Sequence, residues 1–221
     1  MGARIRDQDD GVSLVELLVA ISVTTIVLAM IGGLFVAVTK ITREGLNTRS
    51  SVGTAANAMS EIRRVIREAA PNPVSGGTTT PAVAAGGTDS SLTVISYIDT
   101  STTTYAPTKV AFSVNTAGYL TEQRTPAAKS NGYWTFTGAS TTQTLAGPLV
   151  TTGDADPLFA YLDSSNTVIT PAAGGLTAVQ ASTVFGVTVT TTVANTTGGS
   201  VDPVVLSNTV GLLNVALAAG N

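Results

Sequence analysis

The 221 residues are long enough for one ordinary domain plus a membrane segment, and no more is required of them. Lys and Arg number 11 against 14 Asp and Glu, a net charge of -3, which gives no prior for the basic face that nucleic-acid binding demands. The chain has no Cys and no His, which excludes disulfide frameworks, thiol chemistry and any Ser-His-Asp or Cys-His site, while 43% hydrophobic content argues against disorder.

Residues 1–11, MGARIRDQDDG, are polar. Residues 12–39 form a 28-residue apolar run whose one charge is Glu16. About 20 apolar residues in a helix cross a bilayer core of roughly 30 Å, so this run is long enough to span. It exceeds the apolar core of about 7–15 residues in a cleavable secretory signal. Glu16 lies four residues inside the run, where it reads either as an interfacial carboxylate reaching the headgroups or as a functional intramembrane acid. Arg4 and Arg6 precede the span, and Lys40, Arg43 and Arg49 follow it, so the count of cations slightly opposes an N-terminus-in orientation.

Helical periodicity continues beyond the run. Met59, Ile62, Val65, Ile66 and Ala69 fall on one face, and Glu61, Arg63, Arg64, Arg67 and Glu68 fill the others. Pro71-Asn72-Pro73 ends the pattern. Residues 12–70 thus predict nearly one helix of about 90 Å, with Gly32, Gly33 and Gly45 readable equally as bends or as tolerated glycines. Arg63, Arg64 and Arg67 read as a solvated face with Glu61 and Glu68 in pairing reach, in preference to a phosphate or lipid site.

Residues 71–90, rich in Pro, Gly, Ala and Thr, predict a linker or surface loop. Strand composition then dominates: 92–98, 109–114, 118–124, 133–137, 158–162 and the Val/Thr alternation of 183–193, with 204–218 a last strand or hairpin. Asn115–Gly118 and Asp163–Asn166 have turn composition. The expected fold class is α+β: a long N-terminal helix, transmembrane in its first half and amphipathic in its second, packed on a Thr-rich antiparallel β head.

The local sequence Gly11-Val12-Ser13-Leu14-Val15-Glu16-Leu17-Leu18 closely resembles the prepilin N-terminus of type IV pilins and type II secretion pseudopilins. The resemblance implies cleavage between Gly11 and Val12 by a membrane prepilin peptidase, N-methylation of Val12, and an assembly role for Glu16. Val12 departs from the Phe most frequent there. It divides the chain into a leader (1–11), a transmembrane and assembly helix (12–39), an amphipathic continuation (40–70), a linker (71–90) and an exported head (91–221). The order of head strands, the Ile62–Ala70 phrase and the Val-Gly-Leu-Leu-Asn stretch ending at Asn214 resemble PilW-type minor pilins and the J-type minor pseudopilin, with Leu213 where that group often has Arg. The implied partners are prepilin peptidase, other pilin or pseudopilin subunits, and membrane lipid before assembly. The implied location is the cytoplasmic membrane, single pass with the head outside, and then an envelope or surface filament.

No catalytic constellation, cofactor or metal is expected. Asp154, Asp156 and Asp163 read as turn formers before they read as calcium ligands. The Gly pairs at 76, 86, 174 and 198 lack the strand, helix and Lys of a phosphate loop. Tyr133, Trp134 and Phe136 read as a strand with a core-facing aromatic in preference to a sugar or base platform, and Asn195-Thr196-Thr197 as a chance glycosylation pattern. The alternatives to a filament subunit are a single-pass anchored surface binding or adhesion protein, which predicts that Gly11 and Glu16 are dispensable, and, last, a membrane-anchored hydrolase.

Overall fold

The computed structural model describes residues 12–98, 105–149, 156–193 and 204–215. The molecule divides into two compact units, Met1–Leu46 and Asn47–Asn221. Helix α1, Leu14–Arg67, supplies the described structure of the first and the opening helical segment of the second. The helix assignment is continuous through Gly32, Gly33 and Gly45, and apart from the helix's own neighbouring backbone nothing stands within 4 Å of where a Cβ would be at any of the three. Beyond Arg67 one more turn closes through Glu68 N–H to the Arg64 carbonyl, before Pro71 removes the next donor.

The segment expected as a linker carries β1 (Asn72–Pro73) paired antiparallel with β2 (Thr79–Thr80), and places Ala82 and Val83 in the core. Strands β3 (Ser91–Ser96), β4 (Thr108–Val114) and β5 (Leu120–Pro126) then form an antiparallel meander. A small separate hairpin follows, β6 (Ala128–Ser130) and β7 (Tyr133–Thr135), before β8 (Thr141–Ala146) returns to pair with β5. The second main sheet holds β9 (Phe159–Leu162), β10 (Val168–Ile169), β11 (Gly186–Val193) and β12 (Val204–Gly211), in the order β10-β9-β11-β12 and antiparallel throughout. Helix α2, Ala178–Ser182, precedes β11.

Alternation decides which way each strand faces. In β11 the odd positions Val187, Val189 and Thr191 are fully buried, so the Val/Thr pattern turns its valines inward. On the opposite face Thr188 and Thr190 pair hydroxyl to hydroxyl with Thr209 and Ser207 of β12, at 2.8 and 3.0 Å. Both main sheets and the α1 residues Ala58, Met59, Ile62, Val65, Ile66 and Ala69 share one core, in which Phe112 and Phe159 stand 6.5 Å apart. The predicted apolar stripe of α1 is this buried face.

Two turns follow the expected chemistry. Asn115 Oδ1 accepts from the N–H groups of Ala117 and Tyr119, and Asp163 Oδ1 from those of Ser165 and Thr167. The β6–β7 connection is Asn131-Gly132, both with positive φ (51° and 87°), the two-residue turn whose twist matches the strands it joins.

Candidate functional site

The N-terminal part of α1 is built for a non-aqueous surrounding. Every large apolar side chain from Val12 to Leu46 is between 47% and 78% exposed. So much contiguous apolar surface is unfavourable in water and marks a lipid or protein contact. The hydroxyls that interrupt it are satisfied internally. Ser22, Thr24, Thr25, Thr39 and Thr42 each donate to the carbonyl four residues back, at 2.7–2.9 Å. Within a bilayer this removes the cost of a bare hydroxyl. The helix is long and apolar enough to cross a membrane, with a mean hydropathy of 2.5 over its best window.

At its start, the Leu17 N–H donates to the Ser13 carbonyl at 3.0 Å, so Ser13 stands at the N-cap and Glu16 in the first turn. A carboxylate there meets the positive end of the helix dipole. Glu16 and Val12 are both exposed. Gly11 lies outside the described residues.

In the second unit, one polar cluster interrupts the core. The inward face of β5 reads Leu120, Glu122, Arg124, and Glu122 is fully buried. Its carboxylate accepts from Arg124 Nε at 2.7 Å and from the Gln143 amide of β8. The same guanidinium reaches Glu61 of α1 at 2.6 Å, and Glu61 is also held by Arg64 at 2.7 Å. A buried charge is tolerable only when paired and hydrogen-bonded, and here the pairing joins α1, β5 and β8. The Glu61–Arg64 pair was expected from helical spacing; the partnership with Glu122 and Arg124 joins residues 61 and 63 positions apart, and nothing local announces it.

Trp134 corrects the sequence reading. It lies on the separate hairpin, half-exposed, and Lys129 Nζ sits 5.3 Å from its ring centroid. Tyr133, beside it, is exposed. The hairpin is tethered through the Trp134 carbonyl, which accepts from the buried Asn72 amide at 3.2 Å. The Asn131-Gly132 turn was the available signal that this tryptophan belongs to a hairpin tip and not to a core strand.

The core tyrosine, Tyr161, donates to the carbonyls of Ser91 and Thr88 at 2.6 and 3.2 Å. Burial, with a smaller contribution from the charge of Asp89, pushes its phenol well above the ordinary range. Gly87 packs against that hydroxyl, where a Cβ would collide with it. Among the described residues no three acidic side chains gather as a metal site; Asp163 serves its turn, and Asp154 and the Asn195-Thr196-Thr197 pattern lie outside the described residues.

Residues 6–32 match the family model of the prokaryotic N-terminal methylation motif. No curated protein matches the chain. The matched segment contains Gly11, Val12 and Glu16 together with the first half of the exposed apolar helix. Motif and helix together indicate a prepilin-type, pilin-like chain with a methylation segment and a membrane-compatible helix, and they point to a structural and not a catalytic role.

Proposed function

We propose that this chain is a minor subunit of a type IV pilus or of a type II secretion-like pseudopilus. The leader 1–11 is removed by prepilin peptidase between Gly11 and Val12, and Val12 becomes the N-methylated first residue. The chain is inserted as a single span with its head outside the cytoplasmic membrane, and then joins a filament with other pilin or pseudopilin subunits through α1. The order of head strands supports the PilW-like or J-type minor subtype.

The observation that carries this reading is the apolar surface from Val12 to Leu46, exposed on every side and overlapped by the matched motif as far as residue 32. Such a surface needs lipid before assembly and neighbouring helices afterwards. Cleavage at Gly11 leaves an amine at Val12. Glu16 of one subunit meets that amine on a neighbour, which removes the cost of either charge in an apolar bundle and fixes axial register.

The test is the mass of the N-terminal peptide from protein made in its native host. A chain beginning at N-methylated Val12 is expected. An intact N-terminus, or a cut elsewhere, refutes processing and favours a plain anchored surface protein. In the same host Glu16→Ala is expected to insert normally yet be lost from filaments. Normal incorporation of that variant refutes the register role.

A further inference from the structure

We propose that β12 is a strand-addition site that takes an extended acidic segment of a partner protein, whose carboxylates pair with Arg63 and Arg67. The inference goes beyond the assembly reading, which uses the N-terminal part of α1.

The two main sheets have four edges, and three are guarded. β10 is two residues long. The outer edge of β3 is already occupied, since Ile95 N–H donates to the Ala82 carbonyl and Ala84 N–H to that of Thr93. β8 is exposed on both faces from Thr141 to Gln143, and its pairing with β5 shifts register at Leu120/Thr121. β12 differs from all three. It is eight residues long, uncharged, free of proline and in unbroken register with β11, and no described backbone group hydrogen-bonds to its outer edge. Natural edges of this kind are normally blunted by charge, proline or bulges, and an unblunted one is a template for another strand. The two hydroxyl pairs to β11 hold it in place, so ordering costs on binding are small.

A groove of about 280 Å³ runs beside this strand, lined by Ala56, Met59, Ser60 and Arg63 of α1 and by Leu206 and Asn208. Side chains of an added strand can enter it. Its helical wall is cationic. Arg63 lines the groove, Arg67 follows one turn later on the same stripe, and neither makes an ion pair among the described residues. The direction of α1 relative to β12 is fixed at the far end by Asn214, whose amide donates to the Ala69 carbonyl. Arg63 and Arg67 are about 6 Å apart along the axis, four residues at about 1.5 Å each. Alternate residues of a strand repeat at about 6.6 Å. An extended segment with carboxylates at two alternate positions therefore matches both arginines. A second copy pairing through the same edge would set Arg63 and Arg67 of one helix against those of the other, so like charges disfavour it.

The test uses the full chain in detergent micelles and two fluorescein-labelled octapeptides of Val and Thr. One carries Asp at two alternate positions and the other Lys. The Asp peptide is expected to bind about tenfold tighter or better by fluorescence anisotropy, and the Arg63→Glu/Arg67→Glu variant, checked for unchanged circular dichroism, is expected to reverse the preference. The chain has no Cys, so Thr209→Cys offers one thiol on β12 for disulfide capture of the Asp peptide carrying a single cysteine. Equal binding of both peptides, no binding of the Asp peptide at millimolar concentration, no reversal in the folded variant, or no capture at Thr209→Cys overturns the proposal. A Thr209→Cys chain that instead forms covalent dimers without peptide identifies a second copy as the occupant and also overturns it.

Discussion

Removing the Arg124 guanidinium tests whether the buried cluster holds α1 against the sheet. In Arg124→Ala, Glu122 stays fully buried with only the Gln143 amide to accept from, and Glu61 keeps Arg64. Breaking a buried pair by deleting one partner costs about 3–5 kcal/mol, because the remaining charge is uncompensated. Glu61→Gln leaves the Arg124–Glu122 contact intact and acts on a partly solvated pair, so its cost is about 1 kcal/mol or less. The double change Glu122→Gln with Arg124→Met removes the stranded charge and is expected to recover most of the loss. The assay is urea unfolding of the full chain in detergent, read by the fluorescence of Trp134, the one tryptophan of the chain. A cost below about 1 kcal/mol for Arg124→Ala, or a double variant no more stable than the single one, refutes the account of Glu122 as a charge that needs its partner.

Two further predictions concern Tyr161. The folded chain holds its phenolic proton above pH 10, where an unfolded tyrosine with the ordinary value of 10.0 releases it. The contribution is therefore complete below pH 10 and declines as pH rises above it, and Tyr161→Phe, at a cost of about 1 kcal/mol for the lost hydrogen bonds, is expected to flatten that alkaline decline in thermal melts. An unchanged alkaline slope in that variant refutes the assignment. Gly87→Ala is expected to destabilise by about 1–3 kcal/mol, since the new methyl meets the Tyr161 hydroxyl and ring. Combining it with Tyr161→Phe removes the clashing oxygen, so the two costs must be less than additive in denaturant titrations; strict additivity refutes the contact.

Much of the helix was legible without coordinates, because its evidence is local. The apolar run from Val12, the Met59–Ala69 stripe and the Pro71 stop are each read from residues adjacent in the chain, and the helix ends at Arg67. The 183–193 alternation and the Asn115 and Asp163 turns were legible for the same reason. The strand β8 was not, because Thr141–Ala146 is polar and exposed over most of its length and lacks the alternation that marks a buried face. The short helix α2 was missed although its Thr177 and Gln180 form a capping box, since five residues give no period to detect.

The sequence by itself determined that a long apolar helix leads into a Thr-rich antiparallel head, and it located Gly11, Val12 and Glu16 within a motif whose spacing is readable in six consecutive residues. Tertiary structure alone decided that Arg124 of β5 bridges Glu122 to Glu61 of α1, that Trp134 stands outside the core, and that among the described residues β12 is an unpaired edge beside Arg63. The physical reason is range. Helix periodicity, caps and turns are set by neighbours a few residues apart, whereas strand order and the partner of a buried charge depend on which distant segments share the core.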